Sequence, residues 1–202
     1  MIDAVCTALL KARPEKVVCL STIGAQAGEN NLLTQRTLME QALRAMPMPV
    51  TFLRPGWFME NAASDIASAR DDGVIASYLQ PLDKPVPRVA TGDVGRVAAE
   101  LLQQTWSGVR IVELEGPRRV SPNGLASAFA RVLGRPVSAE PVDRETWQAL
   151  FLSQGMKHPV PRMRMLDGFN EGWIDFETDP DEIIRGQVEL DAVLRQLVSH
   201  LG

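Results

Sequence analysis

The sequence predicts a doubly wound parallel α/β sheet followed by a smaller α+β lobe, and three observations carry that expectation. Residues 16–21 (KVVCLS) and 50–54 (VTFLR) are short runs that are apolar on both alternating faces, the pattern of parallel strands covered by helices on both sides. Each is preceded by a segment with helical periodicity, so helix, strand, helix and strand follow one another within 55 residues. The connections are short and carry Pro or Gly at their ends.

The first helix is expected over Ile2–Ala12, with Val5, Leu9 and Ala12 on one face and Pro14 just beyond its end. After the first strand, residues 22–31 read as a loop containing Gly24 and Gly28. A helix over 34–45 follows, with Leu38, Ala42 and Ala45 turned inward. Pro55 and Gly56 end the second strand abruptly. Residues 57–70 read as helix, 74–78 as a short strand and 85–90 as extended chain. A helix from Thr91 to about Gln104 has Val94, Val97, Ala98, Leu101 and Leu102 as its buried stripe. Residues 110–114 form another strand, closed by Gly116 and Pro117. Ser121 caps a helix to Leu133, with Pro122 at its first position and Gly134 just past its end. Residues 137–141 are extended, Asp143 caps a helix to about Ser153, and a further helix is expected over 163–170. A closing helix over 188–201 carries Leu190, Val193, Leu194, Leu197 and Leu201 on one side. The whole chain, 1–202, reads as one domain. Its sheet-forming part is roughly 1–60 and 86–116, and the lobe is roughly 61–85 and 117–202.

The 202 residues are 45% hydrophobic and 23% charged, enough for a core that needs neither disulfides nor metal. A net charge of −4 leaves no electrostatic footprint for nucleic acid or an anionic membrane surface. No apolar run approaches the ~18 residues of a membrane span, and no basic-then-apolar secretory pattern follows Met1. Cys6 and Cys19 lie in apolar segments, as reduced thiols of a cytoplasmic protein would.

The sequence contains neither GxGxxG nor GxxxxGK[ST], and Gly24 to Gly28 lacks the spacing of a phosphate-binding turn. His158 and His200 have no partners at metal-ligand spacing, so no metal site is expected. Asp175, Glu177, Asp179, Asp181 and Glu182 alternate along the chain but lack the turn glycine of a calcium loop, and read as a solvated acidic loop. Without GxSxG, and with no Cys beside a His, nucleophilic hydrolysis lacks its parts. What remains is the carboxyl end of the strands, where open α/β sheets bind their ligands.

At those ends stand Ser21 and Thr22, then LRPGWFMEN over 53–61, with VATGDVGRVAAELL downstream over 89–102. In this order, and with the closing SPNGLASAFARVLGRPV, the segments resemble the NmrA-like branch of the atypical short-chain dehydrogenase/reductases. The resemblance implies a Rossmann-like sheet with NAD or NADP along its carboxyl edge and a C-terminal lobe closing over the nicotinamide. It places Ser21 and Thr22 beside the nicotinamide ribose, and Pro55, Gly56 and Trp57 around the nicotinamide pocket. Phe58 and Asn61 would face substrate. Apart from the resemblance, Trp147 and Trp173 are candidate lid aromatics, with core packing as the more ordinary role. The family's Lys, four residues before the helix Glu, falls on Arg36, which can hold ribose or phosphate oxygens but is not a tunable ammonium. Ser21 and Arg36 are thus the weak catalytic candidates. The superfamily's Tyr would fall on Leu32, while Tyr78, the sole tyrosine, lies elsewhere in the sequence.

The resemblance further implies earlier βα units, about 90 residues with a glycine-rich turn, before what stands at Met1. It leaves the strand at 17–21 with an open edge, which a second copy of the chain or a rearranged segment is expected to cover. The function expected is reduction of a quinone-like or other small acceptor by NAD(P)H. The alternatives are a non-catalytic NAD(P) sensor, and a truncated remnant that binds no dinucleotide. Taken alone, Arg54 reads as an ion-pair residue tying strand to loop, and Asp93 as a helix cap with Gly92 and Gly95 permitting close packing.

Overall fold

A computed structural model describes residues 1–201, without the side chain of Leu201. Its elements are α1 (Ile2–Ala12), β1 (Val17–Leu20), α2 (Thr34–Leu43), β2 (Val50–Pro55), β3 (Trp57–Phe58), α3 (Ile66–Asp71), β4 (Val74–Ser77), β5 (Arg88–Val89), α4 (Thr91–Gln103), β6 (Val109–Glu115), α5 (Pro122–Leu133), β7 (Ser138–Pro141), α6 (Trp147–Ser153), α7 (Val160–Glu171), β8 (Ile184–Arg185) and α8 (Leu190–Leu201).

The main sheet has four strands in the order β1-β2-β6-β8, all parallel. Strand β2 lies between β1 and β6 and is buried along its whole length. Its side chains alternate between two cores. Val50 and Phe52 pack with Met39 and Leu43 of α2 and with the apolar face of α1. Leu53 packs on the other side with Val94, Val97 and Leu101 of α4. Helices on both faces of a parallel sheet are the doubly wound arrangement that the apolar runs predict. Strand β1 pairs with β2 on one side and, among the described residues, with no strand on the other. Strand β8 comes from the stretch expected in the lobe, yet it returns to complete the main sheet.

The lobe has two cores of its own. One gathers α5, α8 and the turn after β3 around Phe129, Ile66 and Leu194, beside the parallel pair β4–β7. The other gathers α6 and α7 around Trp147, Phe151 and Phe169. The α5 boundaries follow the sequence signals: Ser121 accepts from the Gly124 N–H at 3.0 Å, and Gly134 adopts the left-handed conformation. The Leu201 side chain, expected on the inner face of α8, lies outside the described residues.

Five expectations about these elements are corrected. Leu38 and Ala45 face solvent, because α2 turns Met39, Glu40 and Leu43 inward, one residue out of phase with the expected stripe. Leu102 is also exposed, since Val94, Val97 and Leu101 already fill the face of α4 toward the sheet. Residues 57–70 do not start as helix. The Trp57 N–H donates to the Pro87 carbonyl at 2.9 Å, β3 pairs with β5, and a 3-10 segment (Met59–Asp65) precedes α3. Asp93 does not cap its own helix, whose N-cap is Ala90. Its carboxylate instead accepts from the N–H groups of Gln187 and Val188 at 2.8 and 2.9 Å, just ahead of the closing helix, which starts at Leu190. Gly92 and Gly95 are not close-packed: a Cβ at either would meet nothing within 4 Å.

Gly56 is the opposite case. A Cβ there would lie 2.7 Å from the Pro87 carbonyl oxygen, which is backbone and cannot yield cheaply. Gly56→Ala is expected to destabilise the fold by about 1–3 kcal/mol in urea denaturation. Gly95→Ala, at an open helix position, is expected to stabilise it by about 1 kcal/mol. Equal effects of the two would contradict the packing described.

Candidate functional site

The carboxyl end of the sheet is organised by a buried cation. Arg54, the fifth residue of β2, is 1% exposed. Its Nε and Nη2 donate to the two carboxylate oxygens of Glu40 on α2 at 2.8 and 2.7 Å, a bidentate pair. Its Nη1 donates to Glu177 at 2.6 Å and to Gln26 at 3.2 Å, with Glu113 of β6 at 3.7 Å. Glu113 also accepts from the N–H groups of Glu177 and Thr178. Ser21 donates to Glu40 at 2.5 Å, so its hydroxyl proton is already committed. Burial pushes the Glu40 carboxyl up, but the hydrogen bonds from Arg54 and Ser21 outweigh it and hold the carboxyl below its ordinary value. The tie of strand to loop expected of Arg54 is present, on Glu177. The acidic stretch is therefore not merely solvated, for Asp175 also pairs with Arg119 at 3.1 Å.

Past the end of β2, where the chain turns into Trp57, lies a cavity of about 490 Å³, within the range of small-molecule pockets. Leu32, Trp57, Asn61, Tyr78, Arg88 and Arg162 are among the residues lining it. Trp57 is held edge-on by Phe169, with ring centroids 5.2 Å apart. Asp65 also lines the cavity. Burial pushes its carboxyl up to about 6, against the opposing charge of Arg88.

The expected site residues divide between these two places and the surface. Trp57 and Asn61 are on the cavity wall. Ser21 is in the Arg54 network, and Pro55 and Gly56 are buried in the turn that carries β2 into Trp57. Thr22 is half-buried just after Ser21, and Arg36 is exposed on α2, near enough to Cys19 for its charge to act on that thiol. Phe58 packs toward Leu53 and Val94 rather than on the wall. Trp147 is fully buried behind Tyr78, 5.6 Å between centroids, with its Nε1 donating to the Val142 carbonyl. Sequence reasoning missed Asp65, Arg88 and Arg162, and it set Tyr78 apart. Two signals were available: an Arg inside the apolar run 86–90, and an Asp beside the stripe Ala62, Ile66 and Ala69.

Because Asp65 titrates higher in the fold (about 6) than in an unfolded chain (about 4), its ionisation costs stability. The folded state therefore gains stability as pH falls from about 6 to about 4. Asp65→Asn is expected to stabilise the protein by about 2 kcal/mol at pH 7.5 and to lose that advantage near pH 4. A pH-independent difference in urea midpoints would contradict the burial of this carboxyl.

Comparison with known proteins follows the same lines. The chain is 32% identical over 122 residues to a (4-alkanoyl-5-oxo-2,5-dihydrofuran-3-yl)methyl phosphate reductase of Streptomyces griseus, covering 60% of this chain and 42% of that protein. It is 27% identical over 135 residues to an NAD(P)H azoreductase of Xenophilus azovorans, covering 66% of this chain and 43% of that one. The chain thus spans less than half the length of these curated relatives. Its fold superposes on the NADPH-dependent quinone oxidoreductase of Escherichia coli with a TM-score of 0.79 at 19% identity, over 99% of this chain and 72% of that one. The profile of the NmrA-like family matches residues 18–175, and the chain belongs to that family.

Proposed function

We propose that this chain is an NAD(P)H-dependent reductase of a quinone-like or other small acceptor, which binds in the cavity beside Trp57. The observation that carries the reading is the cavity itself. It opens between the lobe and Trp57, just past the end of strand β2, and it is walled by an indole, a phenol and a guanidinium. The names of the relatives, a phosphate-ester reductase, an azoreductase and a quinone oxidoreductase, support the same class.

The residues of the edge are compatible with an anionic dinucleotide. Glu40 and Glu113, the buried carboxylates nearest β1 and β2, face the Arg54 guanidinium and do not stand free to repel phosphate. Thr22 and Arg36 offer a hydroxyl and a charge, and Leu32 with Trp57 offers apolar surface to a nicotinamide ring. When bound, the reduced nicotinamide supplies the hydride. Reduction of a carbonyl-type acceptor also needs a proton. Ser21 is committed to Glu40, and Leu32 has no acidic proton, so the Tyr78 hydroxyl on the cavity wall is the proton-bearing group proposed to serve.

A non-catalytic NAD(P) sensor is the second reading, favoured by the locked Ser21 hydroxyl. A second copy of the chain is proposed to cover the outer side of β1, and a cytoplasmic location accompanies either reading, given the two unpaired cysteines.

NADPH oxidation with menadione as acceptor tests the proposal. Turnover is expected in the native chain, with Tyr78→Phe lowering kcat by about 100-fold while leaving NADPH binding intact by calorimetry. Binding without turnover would replace the proposal with the sensor. Absence of any NADPH or NADH binding would overturn both.

A further inference from the structure

Arg54 and Arg88 are both buried arginines on strands next to the carboxyl edge, and they are treated in opposite ways. Arg54 donates to two carboxylates and an amide. Arg88 is 5% exposed, yet its Nε is buried without a hydrogen-bond partner and it forms no ion pair among the described residues. Burial pushes its guanidinium down to about 10, still a cation at neutral pH. Asp65 is the neighbouring charge, but it makes no salt bridge with Arg88, and burial pushes its carboxyl up to about 6. The Trp57 ring, 5.8 Å from the guanidinium carbon, offers a face but no acceptor.

A guanidinium desolvated with a free Nε donor is costly unless something accepts from the group. Here the group lines a cavity that also holds Asn61, Ser77 and Tyr78. Arg162 stands on the same wall, stacked over Phe151 at 4.6 Å, and adds a second cation. The planar fork of an arginine matches the two oxygens of a carboxylate or phosphate. We infer that Arg88 anchors an oxyanion, a carboxylate or a phosphate monoester, on the small molecule that enters this cavity. The inference deepens the acceptor site proposed above by giving its substrate a charge.

Three small aromatic probes read this directly by tryptophan fluorescence and calorimetry, without any cofactor: benzoate, phenyl phosphate and neutral benzamide. At least one of the two anions is expected to bind about tenfold more tightly than benzamide, and the tighter of the two names the group. Arg88→Gln is expected to erase that preference, and Arg88→Lys to keep part of it. Asp65→Asn, which leaves Arg88 in place and removes the competing carboxylate, is expected to tighten anion binding several-fold; this variant keeps the test alive should Arg88→Gln fail to fold. Equal binding of benzamide and both anions, an anion preference that survives Arg88→Gln, or unchanged anion affinity in Asp65→Asn would each overturn the inference. Anion preference without NADPH turnover would overturn only the reductase reading. Turnover without anion preference would overturn only the role of Arg88.

Discussion

The carboxyl end of the sheet depends on one buried ion pair, Arg54 with Glu40. A guanidinium brought out of water at the end of a central strand must be answered on every side, and four parts of the chain answer it. Helix α2 supplies Glu40, strand β6 supplies Glu113, the 175–178 segment supplies Glu177, and the loop after β1 supplies Gln26. The geometry that satisfies the charge also fixes where these parts meet. It sets the direction in which β2 leaves the sheet through Pro55 and Gly56, and therefore where Trp57 stands.

The same bond network explains why Ser21 is not free chemistry. Its position at the end of β1 is where a ligand-facing hydroxyl belongs in an open α/β sheet, but Glu40 takes its proton at 2.5 Å. The chemistry moves outward to the cavity, where polar groups have been left unanswered. Arg88 is costly in its present setting, and an anionic ligand would lower that cost, while the Asp65 carboxylate beside it opposes the same ligand. Stability and binding are thus separated along the chain: one buried arginine closes the sheet edge, and the other opens toward the pocket.

Much of this was legible in the sequence wherever the signal is local. Strands β1 and β2 announce themselves as apolar runs between turn residues, and α5 carries its cap, its proline and its terminal glycine at the expected positions. Trp57 and Asn61 could be placed at the carboxyl edge because they follow a strand that ends in Pro-Gly. What the sequence could not supply were the choices made by distant partners. Helix α2 is turned so that Glu40 meets Arg54, and Asp93 on α4 reaches across to the two N–H groups of Gln187 and Val188 ahead of α8. Tyr78 looks remote from the site in sequence, yet the β4–β7 pair and α6 bring it to the same wall as Trp57. Arg88 and Asp65 lie 23 positions apart, and neither forms a motif with its own neighbours.

A double-mutant cycle between Arg54 and Glu40 in urea denaturation tests the controlling role of this pair most directly. Arg54→Met alone should cost about 3–5 kcal/mol, because it leaves Glu113 buried without its counter-charge and Glu40 with only the half-exposed Arg44, 3.4 Å away. Adding Glu40→Gln should restore a large part of that loss, giving a coupling energy of about 2 kcal/mol. Costs below about 1 kcal/mol that add within about 0.5 kcal/mol would show that the sheet edge is held by packing alone.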